Sequence, residues 1–172
     1  MPTKHLEAQT RTTFHTRNDI PASARNECCK LLNTTLAATL DLWTQLKQAH
    51  WNVKGPNFYQ LHLLFDELAT TVYEYIDMVA ERITALSGVA NGTARQSASN
   101  SFLPEYPAIP ITEKDHLKAL ADRLAAYGKH IRTSIEKTDE LGDQATNDLY
   151  VEIARTIDAK LWFIEAHLQE NH

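Results

Sequence analysis

Residues 88–111, GVANGTARQSASNSFLPEYPAIPI, set the strongest constraint on the fold: more than twenty small, polar and proline-punctuated residues lie between stretches of clear helical periodicity. Connections inside a compact domain usually run to about 4–6 residues, so a long one without secondary structure needs a reason. Parallel helices supply it, because the chain must then travel back along the whole bundle before the next helix begins. Upstream, Leu32, Leu36, Thr39, Trp43, Leu46, His50 and Val53 recur at steps of four and three, which is one face of a helix that follows Pro21 and ends at Gly55-Pro56. Asn57 is the expected cap of a second helix, whose stripe of Phe58, Leu61, Phe65, Leu68, Val72, Ile76, Val79, Ile83 and Leu86 runs to Gly88. That helix would be about 30 residues and about 45 Å long, a distance that an extended return segment can span. Thr112 and Asp115 predict a capped, acidic start for a third helix reaching about Lys137, and Gly142 precedes a fourth that ends near Leu168. The expected fold is all-α, a four-helix bundle with one long crossover between helices two and three.

This topology is the ferritin-like one. A chain of 172 residues suffices for one such domain with a sizeable core, taken as residues 19–172 behind a flexible N-terminal tail of residues 1–18. No apolar run resembles a signal peptide or a membrane span, so the expected location is the cytoplasm. The adjacent Cys28 and Cys29 form neither a disulfide framework nor a CxxC zinc pair, and are read as inert thiols on a helix. A net charge of −5 argues against a surface coated with nucleic-acid-binding lysines and leaves room only for a local basic patch.

The second helix carries His62, Asp66, Asp77 and Glu81. Their spacing puts them within about 100° of one another, on a face roughly 130° from the apolar stripe of the same helix. They therefore point away from their own bundle. Acidic pairs at this spacing commonly belong to a solvated face, but these have a further property. Asp66 and Asp77 lie about 16 Å apart along the axis, too far to share an ion within one chain. An antiparallel copy of the helix, centred between Thr71 and Val72, brings His62 opposite Glu81 and Asp66 opposite Asp77 together, which gives two equivalent sites across a two-fold axis. The same register sets Leu63 against Ala80, Thr70 against Tyr73 and Tyr59 against Thr84. Imidazole with carboxylate and no thiolate suits iron, zinc or manganese. The usual di-iron signature of such bundles is a pair of inward Glu-x-x-His motifs. This chain has one such spacing, Glu113 to His116, in a first turn where capping accounts for it.

KQAHWNVKGPNFYQLHLLFDEL followed by DMVAERITALSGVANGT, with DHLKALADR and LWFIEAHL further on, resembles the Dps family (DNA-binding protein from starved cells), the mini-ferritins. The likeness runs from TRND at 16–19 to LWFIE at 161–165. It implies a hollow dodecamer that oxidises Fe(II), preferably with hydrogen peroxide, stores Fe(III) mineral and protects DNA. Carried onto this chain, it implies a ferroxidase centre with His50, His62 and Asp66 from one subunit and Asp77 and Glu81 from its partner. Trp51 would lie near the centre as a donor of electrons or quencher of radicals, and zinc or manganese could stand in for iron. The resemblance places acidic three-fold pores at TDELGDQATND, where Asp139, Asp143 and Asp148 would draw iron in. Lys4, Arg11 and Arg17 are the candidate DNA contacts, in a tail less basic than the family pattern, and binding through them would be non-specific and nucleoid-associated. The competing reading is a DNA-compacting protein whose metal site is vestigial or structural.

Overall fold

The computed structural model describes residues 14–108 and 110–169. These form α1 (Ala22–Asn52), α2 (Phe58–Ala85), α3 (Ala94–Asn100), α4 (Glu113–Glu140) and α5 (Gln144–Ala166), with no strand among the described residues. α1 packs on α2 and α4 on α5 as two antiparallel hairpins, and the hairpins pack on each other through α1 with α4 and α2 with α5. α2 and α4 start at the same end of the bundle: Glu113, the first residue of α4, accepts hydrogen bonds from the main-chain N–H and the side-chain amide of Asn57, just before α2 (2.8 and 3.2 Å). The crossover must therefore run the length of the bundle. No helix among the described residues is long and apolar enough to cross a membrane.

The crossover is more ordered than its composition predicts. It docks along one face of α1 at positions four apart, which share a face on an α-helix. Asn33 Oδ1 accepts from the Asn91 N–H (2.9 Å), the Ala37 carbonyl from Ser97 Oγ (2.8 Å), and Asp41 from Ser101 Oγ (2.6 Å), while Gln45 Nε2 donates to the Pro104 carbonyl (3.0 Å). The seven-residue α3 sits in its middle, opened by a reciprocal capping box between Thr93 and Gln96.

The core is the expected stripe with local corrections. Leu32, Leu36, Leu46, Phe65, Leu68, Val72 and Ile83 are buried with Leu120, Leu124, Ile131, Ile153 and Ile157 of the second hairpin. Phe58 is exposed, and Tyr75 is buried beside a half-buried Ile76 that packs against the core, with the Tyr75 hydroxyl donating to Thr156 on α5 (2.8 Å). Asn57 makes no side-chain cap for α2, its amide being turned to Glu113. At the other end of α2 the left-handed residue is Ser87 (φ 68°), and the Gly88 N–H bonds the Ile83 carbonyl (2.9 Å), a Schellman ending. Gly88 serves packing instead, since a Cβ there would lie 2.6 Å from the Cys29 sulfur. Both cysteines are buried and free, and burial first, then the Asp143 carboxylate, pushes the Cys28 thiol up to about 12, so it is an inert thiol at neutral pH.

Two histidines of α4 tie it to other parts of the bundle, His130 to α1 and His116 to the crossover. His130 Nε2 bonds Thr35 on α1 (2.9 Å), which also meets the Tyr150 hydroxyl on α5 (3.0 Å), and His116 Nδ1 bonds the Tyr106 hydroxyl (2.6 Å). Burial lowers the pKa of both histidines below the ordinary 6.5. A depressed histidine leaves the unfolded chain binding more protons, so this stabilisation is complete above the unfolded value and is lost as pH falls from there through the folded value. Thermal unfolding followed by circular dichroism should therefore shift to lower temperature as pH is taken from about 7.5 to about 5.5. The His130→Gln chain should show a shallower slope.

Candidate metal centre

The turn between α1 and α2 brings His50, in the last turn of α1, against His62, in the second turn of α2. Two hydrogen bonds cross between the helices: His50 Nδ1 to the main-chain carbonyl of His62 (2.8 Å) and His62 Nδ1 to that of His50 (2.9 Å). A carbonyl oxygen can only accept, so each neutral ring carries its hydrogen on Nδ1 and keeps the Nε2 lone pair for a ligand. The rings stack with centroids 3.8 Å apart and 21° between planes, and Phe58 leans on His62 at 5.1 Å. Imidazoles that bind metals are commonly oriented in this way, with the second nitrogen bonded to a carbonyl or carboxylate.

Asp66, one turn beyond His62, places Oδ1 3.9 Å from His50 Nε2. Lys47 Nζ stands 2.6 Å from the same oxygen, and its ammonium, through the hydrogen bond first, holds the Asp66 carboxyl below the usual carboxylate range. Asp66 is thus held in its anionic form. Lys47 also lies 5.8 Å from the centre of the Trp51 ring, which is 65% exposed. The structure places His50, His62 and Asp66 near one another in a single chain, without closing them on a common point. Lys47 was missed at the level of sequence, although its place one turn before His50 on the same helix is the signal that would have found it.

Asp77 and Glu81 stand elsewhere, exposed and further along α2. Among the described residues, no three histidine, cysteine, aspartate or glutamate side chains of one chain close on a common point. The face that carries Asp66, Asp77 and Glu81 is apolar as well as acidic. Tyr59 (67% exposed), Leu63 (48%) and Tyr73 (59%) all lie open on α2.

The Glu-x-x-His spacing on α4 holds neither a cap pair nor inward ligands. The capping box of α4 joins Thr112 and Asp115, Glu113 turns to Asn57, and His116 is fully buried on Tyr106. In the acidic turn before α5, Asp143 departs from the expected pore-lining role. It is buried, caps α5 by accepting from the Thr146 N–H (3.1 Å), and pairs with Arg82 of α2 (2.7 Å). Burial alone would raise its pKa, but the bonds from Thr146 and the Arg82 guanidinium outweigh it and hold the carboxyl below its usual value. Asp139 and Asp148 are exposed, Asp139 accepting from Gln144 (3.0 Å). Of the basic tail residues, Arg17 is exposed, and Lys4 and Arg11 lie outside the described residues. The expected tail boundary at residue 18 falls within a bonded turn: Asn18 accepts from the Ile20 N–H (2.9 Å), and its carbonyl accepts from Arg25 of α1 (3.2 Å).

Comparison with known proteins gives a matching context for this geometry. The family description "Ferritin-like domain" matches residues 29–171. A DNA protection during starvation protein from Agrobacterium fabrum is 40% identical over 158 residues, covering 92% of this chain and 98% of that protein. Among solved structures, DpsC from Streptomyces coelicolor aligns with a TM-score of 0.89 at 34% identity over 92% of this chain and 93% of its own. Dps from Mycobacterium smegmatis aligns at 0.88 with 32% identity, over 92% and 95% of the two chains.

Proposed function

This chain belongs to the Dps family of ferritin-like proteins, whose general role is iron storage and DNA protection, and from that premise we propose that it is a ferroxidase whose centre is shared between two subunits. The observation that carries this is the cross-bonded pair His50 and His62. Both rings are fixed in the tautomer that offers Nε2, beside the ionised Asp66 and at the foot of an exposed apolar helix face. Two copies of α2, antiparallel about a point between Thr71 and Val72, cover Leu63 and Tyr73 and bring Asp77 and Glu81 of the partner subunit to the imidazoles.

Fe(II) is the substrate. Neutral imidazole and carboxylate bind the ferrous ion and favour the ferric product, with hydrogen peroxide as the preferred oxidant. Trp51 lies at the rim, where it can supply an electron. Six such dimers would make the dodecamer that holds the mineral, with Asp139 and Asp148 as the remaining candidates to line an entry pore. Gathering ferrous ions this way removes the partner that converts peroxide into DNA-damaging radicals. DNA contact through Lys4, Arg11 and Arg17 is the second element. Repetition over the assembly would let weak phosphate contacts add, with steep salt dependence.

One experiment separates storage from compaction. Fe(II) and peroxide added to the assembled protein should give rapid oxidation and a retained ferric core. A chain lacking residues 1–17 should do the same while losing gel retardation of DNA at low salt. Retardation without iron oxidation by the full chain would favour the architectural reading instead.

A further inference from the structure

Glu113 sits outside the proposed centre, on a different helix, yet it closes the turn that builds it. α2 begins without help of its own: no side chain caps its first turn and no acidic residue lies there. The exposed N–H groups of a helix start and its positive dipole end are normally met by such groups. Here the Glu113 carboxylate takes their place from α4, accepting from the Asn57 N–H at 2.8 Å and from the Asn57 side-chain amide at 3.2 Å. The turn is shaped around it. Gly55 has φ +143°, and a Cβ there would lie 2.5 Å from the Glu113 carboxyl carbon. The N–H of Phe58, the first residue of α2, bonds the Gly55 carbonyl at 3.1 Å.

We infer that Glu113 is a positioning residue for the imidazole pair: by fixing Asn57 and the 53–57 turn, it sets the register at which α1 and α2 exchange the two Nδ1 bonds of His50 and His62. Each of those bonds joins a ring on one helix to a carbonyl on the other. A slide of one helix against its neighbour lengthens one or both bonds and turns an Nε2 lone pair away from Asp66. The one Glu-x-x-His spacing in the chain therefore acts on the centre from outside it. Glu113 touches no ion and acts only through the hairpin. This inference rests on the proposed metal-binding role of His50 and His62.

Cobalt(II) titrated into the assembled, metal-stripped protein reads the imidazole geometry directly, through its visible d–d bands and its affinity, without any iron turnover. Glu113→Ala should weaken cobalt binding by about ten- to a hundredfold, the range for groups that orient metal ligands, and should alter the bands. Glu113→Gln keeps an oxygen for the Asn57 N–H and should restore most of the affinity. Ile153→Val, a methyl deletion in the core of α5 away from the turn, lowers stability generally and should leave both the bands and the affinity unchanged. If Glu113→Ala does not assemble, Glu113→Asp, which withdraws the carboxylate by one methylene, takes its place. Wild-type cobalt bands and affinity in the Glu113 variant, or equal losses in Glu113→Ala and Ile153→Val, would overturn the inference and leave the centre standing. A wild-type protein whose cobalt bands do not depend on His62 would overturn the centre and this inference together.

Discussion

Replacing Asp77 or Glu81 with alanine is expected to abolish rapid Fe(II) oxidation while leaving the chain folded and the shell assembled. Both side chains are exposed on α2, and substitutions at such positions usually move stability by no more than about 0.5 kcal/mol. The apolar part of the same face, Tyr59, Leu63 and Tyr73, is exposed and untouched by either change, so the proposed contact between copies would keep its main area. On the proposed shared centre, what disappears is a carboxylate ligand. Disturbing a group that only orients a ligand costs about ten- to a hundredfold, and losing the ligand itself should cost at least as much. Stopped-flow absorbance after mixing with Fe(II) and peroxide reads the rate, and size-exclusion chromatography reads the assembly. Wild-type rates in both assembled variants would contradict the assignment of these carboxylates.

The long helices were legible because their apolar residues repeat at steps of three and four over many turns, and Gly55-Pro56 and Gly142 mark the joints. The crossover was legible as a length but not as a structure. α3 has no stripe, and the crossover around it is held by hydrogen bonds from Asn91, Ser97 and Ser101 and at Pro104 to Asn33, Ala37, Asp41 and Gln45, partners that acquire meaning only once α1 is a helix with those positions on one face. The candidate ligands on α2 could be placed because a helix fixes angle and rise for each residue. The way His50 meets His62 could not, since it depends on the crossing of two helices and on Glu113, which is 56 residues from Asn57. Asp143 misled for a related reason. In the string TDELGDQATND it is one acid among four, and only the fold brings Arg82 and the α5 N-terminus to bury it. Tyr75 was not legible as a core residue because it sits one step beside the stripe of Val72, Ile76 and Val79, and only the fold gives its hydroxyl a partner inside, Thr156 on α5.

The central claim is that one centre draws on two chains, and co-assembly of two inactive variants tests it most directly. A shell made only of His62→Ala chains lacks an imidazole at every centre, and one made only of Asp77→Ala chains lacks a carboxylate at every centre. In a dimer of one chain of each kind, His62 of one and Asp77 of the other meet at one centre and are both missing from the second. That dimer has one intact centre of two. With random pairing half of the dimers are mixed, so about a quarter of the wild-type centres should return. Fe(II) oxidation by the mixture, after subunit mixing is verified by mass spectrometry, should rise to about a quarter of the wild-type rate per subunit. A verified mixture that stays as inactive as its two components would contradict the shared centre.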